Sequence, residues 1–290
     1  MAASYDLVEI FRHGPDSLAM TPVTDSRDQE FFDKITSIGP QQLLDRADQQ
    51  KREAERRAVR IVTYRDDDFP HNLRESQQSP PVLFIRGALR AQDDRSVAIV
   101  GTREASDAGR NRAFRLSKFL CEHEATVVSG LARGIDTAAH EGALSAGGRT
   151  VAVVGTGLDR TYPVENSELA DRIAASGAVV SQFPFGTPPS RVNFPMRNKT
   201  MALLSLATVV VEAGARSGAK MQADFALQPR HPKRYVFLLQ SLIESRGETV
   251  WSREFLDRGA QPMQQPEDVL AVLPHASQQH SAQQGQLRLL

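Results

Sequence analysis

Six continuous apolar runs of strand length dominate the sequence between residues 96 and 240. They are SVAIVG (96–101), ATVVSG (125–130), RTVAVVG (149–155), GAVVSQF (177–183), ATVVVEAG (207–214) and RYVFLLQ (234–240). Each is followed by a glycine or polar turn, and most by a segment of helix length. Runs that are apolar throughout are typical of strands covered on both faces, as in a parallel sheet with crossover helices. The pattern predicts an α/β fold with a doubly wound, mostly parallel sheet of about six strands.

The rest of the chain flanks this core. Residues 1–60 are polar with helical spacing and end in DRADQQKREAERRAVR, which has no glycine or proline, so a small N-terminal helical region is predicted. Residues 61–95 contain three prolines and one strand candidate, VLFIRG, and are interpreted as a connector into the core. The core then spans 96–273. Residues 274–290 are rich in Gln, Ser and His and are predicted to be a disordered tail.

Composition limits the class of protein. The net charge is zero at pH 7, which argues against a nucleic-acid binder whose whole surface is basic, although residues 96–234 are mildly basic. The single cysteine, Cys121, excludes an internal disulfide framework and a cysteine-based zinc site. No apolar run approaches the ~18 residues that cross a bilayer, and no signal-peptide pattern opens the sequence. We expect a cytoplasmic protein that does not bind membranes.

Glycine and basic residues follow the strands at one edge of the predicted sheet. The loops are GTR (101–103), SGLARGID (129–136), GTGLDRTYP (155–163) and PFGTPPSRVNFPMRNKT (184–200). In doubly wound sheets, ligands bind beyond the carboxyl ends of the strands, at the topological switch point. Glycine turns and helix N-termini there expose backbone N–H groups that attract anions. We therefore predict an electropositive, phosphate-accepting groove that includes Arg103, Arg133, Arg191, Arg197 and Lys199.

The fourth loop is the most informative, because it places an aromatic residue among cations. Arg191 and Arg197 flank Phe194, and prolines stiffen the loop before a helix that we expect to begin near Asn198. In sites that bind flexible single-stranded nucleic acid, cations contact the phosphates and an aromatic ring stacks on a base. The alternative is that Phe194 belongs to the core and the arginines only solvate the loop.

Other patterns favour structural roles. The GTG at 155–157 does not complete the dinucleotide-binding pattern G-x-G-x-x-G, and the residues that follow suit a turn. Asp136 and His140 share one helix face and could ligate a metal, but no further ligands cluster near them, so loop orientation and packing are favoured. Glu212 ends the fifth strand without a second carboxylate or nucleophile near it in sequence. We predict no catalytic residues, no metal and no cofactor.

Together these motifs resemble a known family. GTR, SGLARGIDTAAHEGAL, GGRTVAVVGTGLDRTYPVEN, FPFGTPPSRVNFPMRN and VVVEAGARSGA are similar to the Rossmann-like core of DNA-processing protein A (DprA, also called Smf). The likeness covers roughly residues 60–273. The chain departs from the family after Ser217 and Gly218, where AKMQADFAL replaces a hydroxyl-rich stretch, and after the sixth strand, where LLQSLIESRGETVW replaces a Pro-Gly turn.

The resemblance implies a Rossmann-like protein that binds single-stranded DNA without catalysis, dimerises, and loads RecA recombinase during DNA uptake and recombination. The divergence fits a paralogue in a mobile-element or phage-defence setting. By the same resemblance, the DNA-binding residues are Gly101, Arg103, Ser129, Gly130, Arg133, Gly134, Arg191, Phe194, Arg197, Asn198, Lys199, Ser217 and Gly218.

Two other hypotheses remain open at this stage. The first is a nucleotide sensor or nucleoside-monophosphate hydrolase with Glu212 as general acid/base or ribose ligand. The second is a dimeric scaffold with a degenerate pocket that recruits a recombinase or an effector.

Overall fold

The computed structural model describes residues 40–228, 234–245 and 249–274. The chain divides into two units, residues 1–56 and 57–290. In the first unit the described part is one helix, α1 (Pro40–Arg56), which confirms a helix in the predicted N-terminal region. Its proline stands at the first helical position, where a missing N–H is tolerated. Residues 1–39 of that region, and residues 275–290 of the predicted tail, lie outside the described residues.

The second unit is built on one sheet of nine strands. They are β1 (Val59–Thr63), β2 (Val82–Gly87), β3 (Ser96–Gly101), β4 (Thr126–Ser129), β5 (Thr150–Val154), β6 (Ala178–Ser181), β7 (Ala207–Glu212), β8 (Tyr235–Leu239) and β9 (Gln261–Met263). Their order is β1-β2-β6-β5-β4-β3-β7-β8-β9. The pairs β1–β2 and β2–β6 are antiparallel, and all other pairs are parallel. The predicted doubly wound, mostly parallel α/β sheet is confirmed.

Three strands extend the predicted set of six. β2 is the VLFIRG candidate of the predicted connector, whereas β1 begins at Val59, within the region predicted to be helical, and continues into that connector. β9 is an edge strand of three residues whose middle residue is Pro262. Proline cannot donate to a ladder and is tolerated at a sheet edge, so neither length nor composition marks β9 as a strand. The domain boundaries at 60, 95 and 273 remain predictions.

Helices cover both faces of this sheet. They are α2 (His71–Arg74), α3 (Asp107–Glu122), α4 (Ile135–Ser145), α5 (Ser167–Ser176), α6 (Asn193–Leu204), α7 (Gly218–Ala226), α8 (Gln240–Ile243), α9 (Thr249–Asp257) and α10 (Glu267–Leu270). Along β5, Val151 and Val153 join the main core cluster, whereas Ala152 and Val154 join a second cluster with Ile173 of α5. A strand covered on both faces in this way favours apolar side chains at successive positions, which is the pattern of the six runs.

The topological switch point lies between β3 and β7. From β3 the chain continues through β4, β5 and β6 on one side of the sheet, and from β7 it continues to β8 and β9 on the other. Crossover connections place the loops after all these parallel strands at one edge. In the described part of the chain, no helix combines the length and apolar character needed to cross a membrane.

Candidate functional site

A cavity of ≈ 350 Å³ opens at the carboxyl ends of the parallel strands. Loops after β3, β4 and β5 form its walls together with the first turns of α6. Its lining residues are Arg103, Gly130, Ala132, Arg133, Gly155, Thr156, Thr161, Tyr162, Pro163, Val164, Glu165, Phe194 and Arg197. The structure thus brings together five of the predicted site residues: Arg103, Gly130, Arg133, Phe194 and Arg197.

The ring of Phe194 is a wall of this cavity with cations around it. The guanidinium carbons of Arg103 and Arg197 lie 5.3 Å and 5.9 Å from the ring centroid. The ring of Tyr162 lies 5.8 Å away, centroid to centroid, at an interplanar angle of 37°. Phe194 is half-buried, so it neither disappears into the core nor stands free in solvent. The arrangement is an aromatic surface with two guanidiniums in cation–π distance of it.

Helix α6 begins at Asn193, five residues before the predicted start, and this changes the role of Arg197. Pro195 falls in the first turn, where a missing N–H leaves no hydrogen bond broken. Arg197 therefore lies on a helix and not in the loop, and it is only 5% exposed although it lines the cavity. Its Nη1 donates to the carbonyl of Val153 at 3.0 Å, whereas its buried Nε has no partner within the described residues.

The buried charge of Arg197 faces the carboxylate of Asp136. Burial lowers the pKa of Arg197, and Arg103 lowers it further, whereas Asp136 favours the charged form. Burial likewise raises the pKa of Asp136, and Arg197 opposes that shift. Gly130 lies between them, since a Cβ there would sit 1.6 Å from Arg197 Nη1 and 2.6 Å from Asp136 Oδ2. A side chain at this position would displace the guanidinium.

Asp136 also changes the expected anion site in the SGLARGID turn. Its Oδ2 accepts hydrogen bonds from the amides of Gly130 at 3.1 Å and Ala132 at 3.3 Å. Two of the amides that were expected to be open to an anion are therefore already bonded within the protein. The arginine side chains, rather than these amides, therefore provide most of the electrostatic attraction for an anionic ligand.

Arg133 stands at the rim of the cavity, paired with an acidic residue that the sequence did not single out. Its Nε donates to Glu165, and the two side chains are 67% and 43% exposed. The hydrogen bond to Glu165 raises the pKa of Arg133, and the same contact lowers the pKa of Glu165. Glu165 and Tyr162 both belong to the loop after β5. The sequence signal that could have pointed to this loop is the aromatic-proline pair in TYP (161–163), which follows the GTG turn at 155–157.

The remaining predicted residues do not line the cavity. Ser129 is fully buried and its hydroxyl donates to Ile99 O at 2.7 Å, so its prediction as a ligand-facing residue is wrong. Asn198 Nδ2 donates to Gly218 O at 3.1 Å, and Ser217 caps α7 by accepting from Lys220 N. The others are also absent from the lining: Gly101 ends β3, Gly134 precedes α4, Arg191 is exposed, and Lys199 is half-buried.

The crevice at the switch point itself is occupied by Glu212. Its carboxylate accepts from the Ser106 hydroxyl at 2.8 Å and from the Ser106 amide, beside the N-terminus of α3. A carboxylate placed there is stabilised by the helix dipole. The cavity lies beside the switch point, over β4 and β5, and Glu212 does not line it. This position gives no support to a catalytic role for Glu212.

Asp136 and His140 have separate structural roles. His140 is fully buried, its Nδ1 lies 2.7 Å from Thr150 Oγ1, and burial lowers its pKa to about 3. Across the ranges that the structure describes, no three His, Cys, Asp or Glu side chains form a group that could hold a metal ion.

Comparison with known proteins places the chain beside proteins of DNA processing. Residues 60–274 match the sequence model of the family described as DNA recombination-mediator protein A. Protein Smf of Synechocystis sp. is 42% identical over 202 residues, which are 68% of this chain and 49% of that protein. DNA processing protein DprA of Streptococcus pneumoniae is 38% identical over 206 residues, 71% of each chain. The chain thus spans about half the length of the Synechocystis relative.

Solved structures agree with the observed fold. The X-ray structure of DprA from Streptococcus pneumoniae matches with a TM-score of 0.71 at 30% identity, over 92% of each chain. DNA processing protein A from Helicobacter pylori, a structure that concerns its single-stranded DNA binding mode, matches with a TM-score of 0.64 at 24% identity. That alignment covers 74% of this chain and 95% of the Helicobacter chain.

Proposed function

This chain belongs to the DNA recombination-mediator protein A family, and on that premise we propose that its cavity binds single-stranded DNA without catalysing a reaction. One observation carries the proposal: two guanidiniums, those of Arg103 and Arg197, lie within 6 Å of the Phe194 ring at a cavity wall. An unpaired base can stack on such a ring while a neighbouring phosphate meets the cations. A paired base has no free face to offer.

The arginines that line the cavity differ in exposure, and this difference supports different roles in binding. Arg103 and Arg133 are exposed and can meet backbone phosphates as the strand passes the rim. Arg197 is buried, with its guanidinium carbon 5.9 Å from the ring centroid, and adds positive charge next to the surface on which a base would stack. Among the residues that line the cavity, Glu165 is the only carboxylate, and it is paired with Arg133. A binding site, rather than an acid/base site, fits this set.

We also propose a wider role that rests on family membership. The protein forms a homodimer in the cytoplasm and hands its bound single strand to RecA recombinase, either in DNA uptake or as a specialised paralogue in mobile-element or phage defence. Size measurement in solution and a RecA strand-exchange assay test these two steps separately from DNA binding.

The binding experiment uses a fluorescently labelled oligothymidylate, titrated by anisotropy at two salt concentrations. We expect the affinity to fall with salt, with a log–log slope of about −0.7 for each phosphate contact on a single strand. Arg103→Ala combined with Arg191→Ala is expected to weaken binding and flatten that slope, because Arg103 lines the cavity and Arg191, although outside its lining, is an exposed cation of the loop before Phe194.

Arg115→Ala is the matched control, since Arg115 is an exposed arginine of α3 outside the cavity lining. It should bind like the unaltered protein. Unchanged affinity in the Arg103/Arg191 variant would refute the site assignment, and absence of oligothymidylate binding by the unaltered protein would refute the function.

A further inference from the structure

The ion pair between Arg133 and Glu165 joins two loops at the mouth of the cavity. Arg133 is in the turn after β4, and Glu165 is in a three-residue 3-10 helix, Val164–Asn166, that follows β5. Both residues line the cavity and both are substantially exposed. Of the two exposed arginines that line it, Arg103 and Arg133, only Arg133 has an ion-pair partner among the described residues.

We propose that Glu165 is an internal substitute for phosphate, which occupies Arg133 in the free protein and is exchanged for a DNA phosphate on binding. This inference rests on the proposed function of the cavity. A guanidinium presents the same fork of N–H donors to carboxylate and phosphate oxygens, so the two anions compete for one site. The negative charge of Glu165 would therefore lower the affinity of the protein for single-stranded DNA.

The structure does not need this ion pair to keep the two loops together. Asn166, the neighbour of Glu165, is buried and donates through Nδ2 to Leu131 O at 2.8 Å and to Thr137 Oγ1 at 3.0 Å. These bonds already connect the 3-10 helix to the turn after β4 and to α4. Loss of the Arg133–Glu165 contact leaves them intact.

A second ion pair shows what a purely structural one looks like. Arg149 and Asp93 are 9% and 7% exposed, and Arg149 also donates to the carbonyls of Ala88 and Ser176. Removing one partner there leaves a buried charge uncompensated. Arg133 bonds to Glu165 alone among the described residues and faces solvent, where ion pairs contribute little to stability. Its partner can be exchanged easily.

The experiment is a double-mutant cycle on oligothymidylate binding, with Glu165→Gln, Arg133→Ala and both changes together. Glutamine keeps the shape of the side chain and removes its charge. We expect Glu165→Gln to tighten Kd roughly two- to fivefold, since an exposed pair is weak and easily displaced. The salt slope should steepen by up to about 0.7, because the contact between Arg133 and the phosphate then forms without freeing a carboxylate.

The Arg133→Ala background separates exchange from general repulsion. There, Glu165→Gln should tighten Kd much less, because no guanidinium is released. Equal tightening in both backgrounds, or no tightening by Glu165→Gln alone, would overturn the inference. Glu141→Gln is the control: Glu141 pairs with Arg172 at similar exposure outside the cavity lining, and its change should leave Kd unaltered.

Two readouts keep this test distinct from that of the proposed function. If the unaltered protein binds oligothymidylate and Arg103→Ala weakens it, the function stands whatever Glu165→Gln does. The melting temperature of Glu165→Gln should stay close to that of the unaltered protein. A clear drop would identify the pair as a structural link between the loops and contradict the exchange.

Discussion

At the scale of single residues, the cavity depends on what surrounds one aromatic ring. Phe194 packs over Gly155, where a Cβ would come within 2.9 Å of its Cδ1, and so presents one side to the cavity. Arg197 donates to Val153 O, and its guanidinium carbon lies 5.9 Å from the ring centroid. A ring fixed by packing can stack on a base without first losing its own rotamer freedom.

Phe194→Ala is expected to weaken oligothymidylate binding by about 1–3 kcal/mol, the range for one stacked base, with little change in salt slope. Stacking releases no counterions, so affinity and slope separate here, whereas arginine variants change both. Anisotropy titrations at several salt concentrations measure the two quantities. Phe119→Ala, a half-buried ring of α3 that packs against His123, is the control and should leave binding unaltered. A parallel fall in affinity and slope for Phe194→Ala would contradict a stacking role.

At the scale of elements, the small residues of α4 explain how the turn after β4 is held against the sheet. Ala139 and Ala143 are fully buried, and a Cβ at Gly142 would lie 2.2 Å from the carbonyl oxygen of Phe114 in α3. The two helix backbones therefore approach closely at this point. Close packing of α4 on α3 sets the position of the turn that carries Gly130 and Arg133.

Gly142→Ala should lower the free energy of unfolding by about 1–3 kcal/mol, the usual effect of overpacking. Alanine favours a helix by about 1 kcal/mol over glycine, so a variant without the backbone clash would gain stability. The urea midpoint at constant m-value measures the sign. A stabilised variant would show that α3 and α4 are not in close contact at this residue.

At the scale of the whole molecule, zero net charge conceals charge separation along the strands. The arginine-lined cavity lies at the carboxyl ends, whereas a groove of ≈ 910 Å³ at the amino ends of β3 and β7 is lined by more carboxylates than arginines. Its acidic residues are Asp67, Asp68, Glu75, Asp93 and Asp94. The described surface therefore offers a polyanion one favourable end, which is how a neutral protein can bind DNA locally.

The acidic groove makes stability depend on pH through Asp94. Burial raises its pKa from 3.8 to about 6, with Asp93 adding to the shift and His71 opposing it. Between those values the folded protein keeps a proton that the unfolded chain has lost. The stabilisation of the folded state by protonated Asp94 is thus fully present at lower pH and is lost as pH rises toward and through 6. Asp94→Asn should raise the free energy of unfolding by about 1–2 kcal/mol at pH 8 and leave it unchanged at pH 4.

Urea unfolding at the two pH values measures this difference. Asp67→Asn, which removes an exposed carboxylate from the same groove, controls for net charge and should change little at either pH. Equal effects of Asp94→Asn at both pH values would contradict a proton held by the folded state.

Helix boundaries and partners account for most of what sequence reasoning missed in the site. Pro195 was interpreted as part of a loop, yet proline is compatible with a first helical turn, and α6 begins before it. That shift moved Arg197 from solvent to the interior. Ser129 is the last residue of β4, and its side chain is buried and bonded to Ile99 O, which a local pattern does not report. Glu165 and Arg133 are separated in sequence, so only their positions in space reveal the pair.

The sequence by itself determined the sheet and the end of it that carries cations. Six runs apolar at every position require cover on both faces, and glycine turns after parallel strands collect their loops at one edge, because strand direction is a property of the connected chain. Only the tertiary structure decided which amides donate to Asp136, that the Glu212 carboxylate lies at the switch point, and that Glu165 forms an ion pair with Arg133. Charge pairing depends on distances between residues far apart in the chain, and burial of a charge depends on the neighbours that exclude water from it.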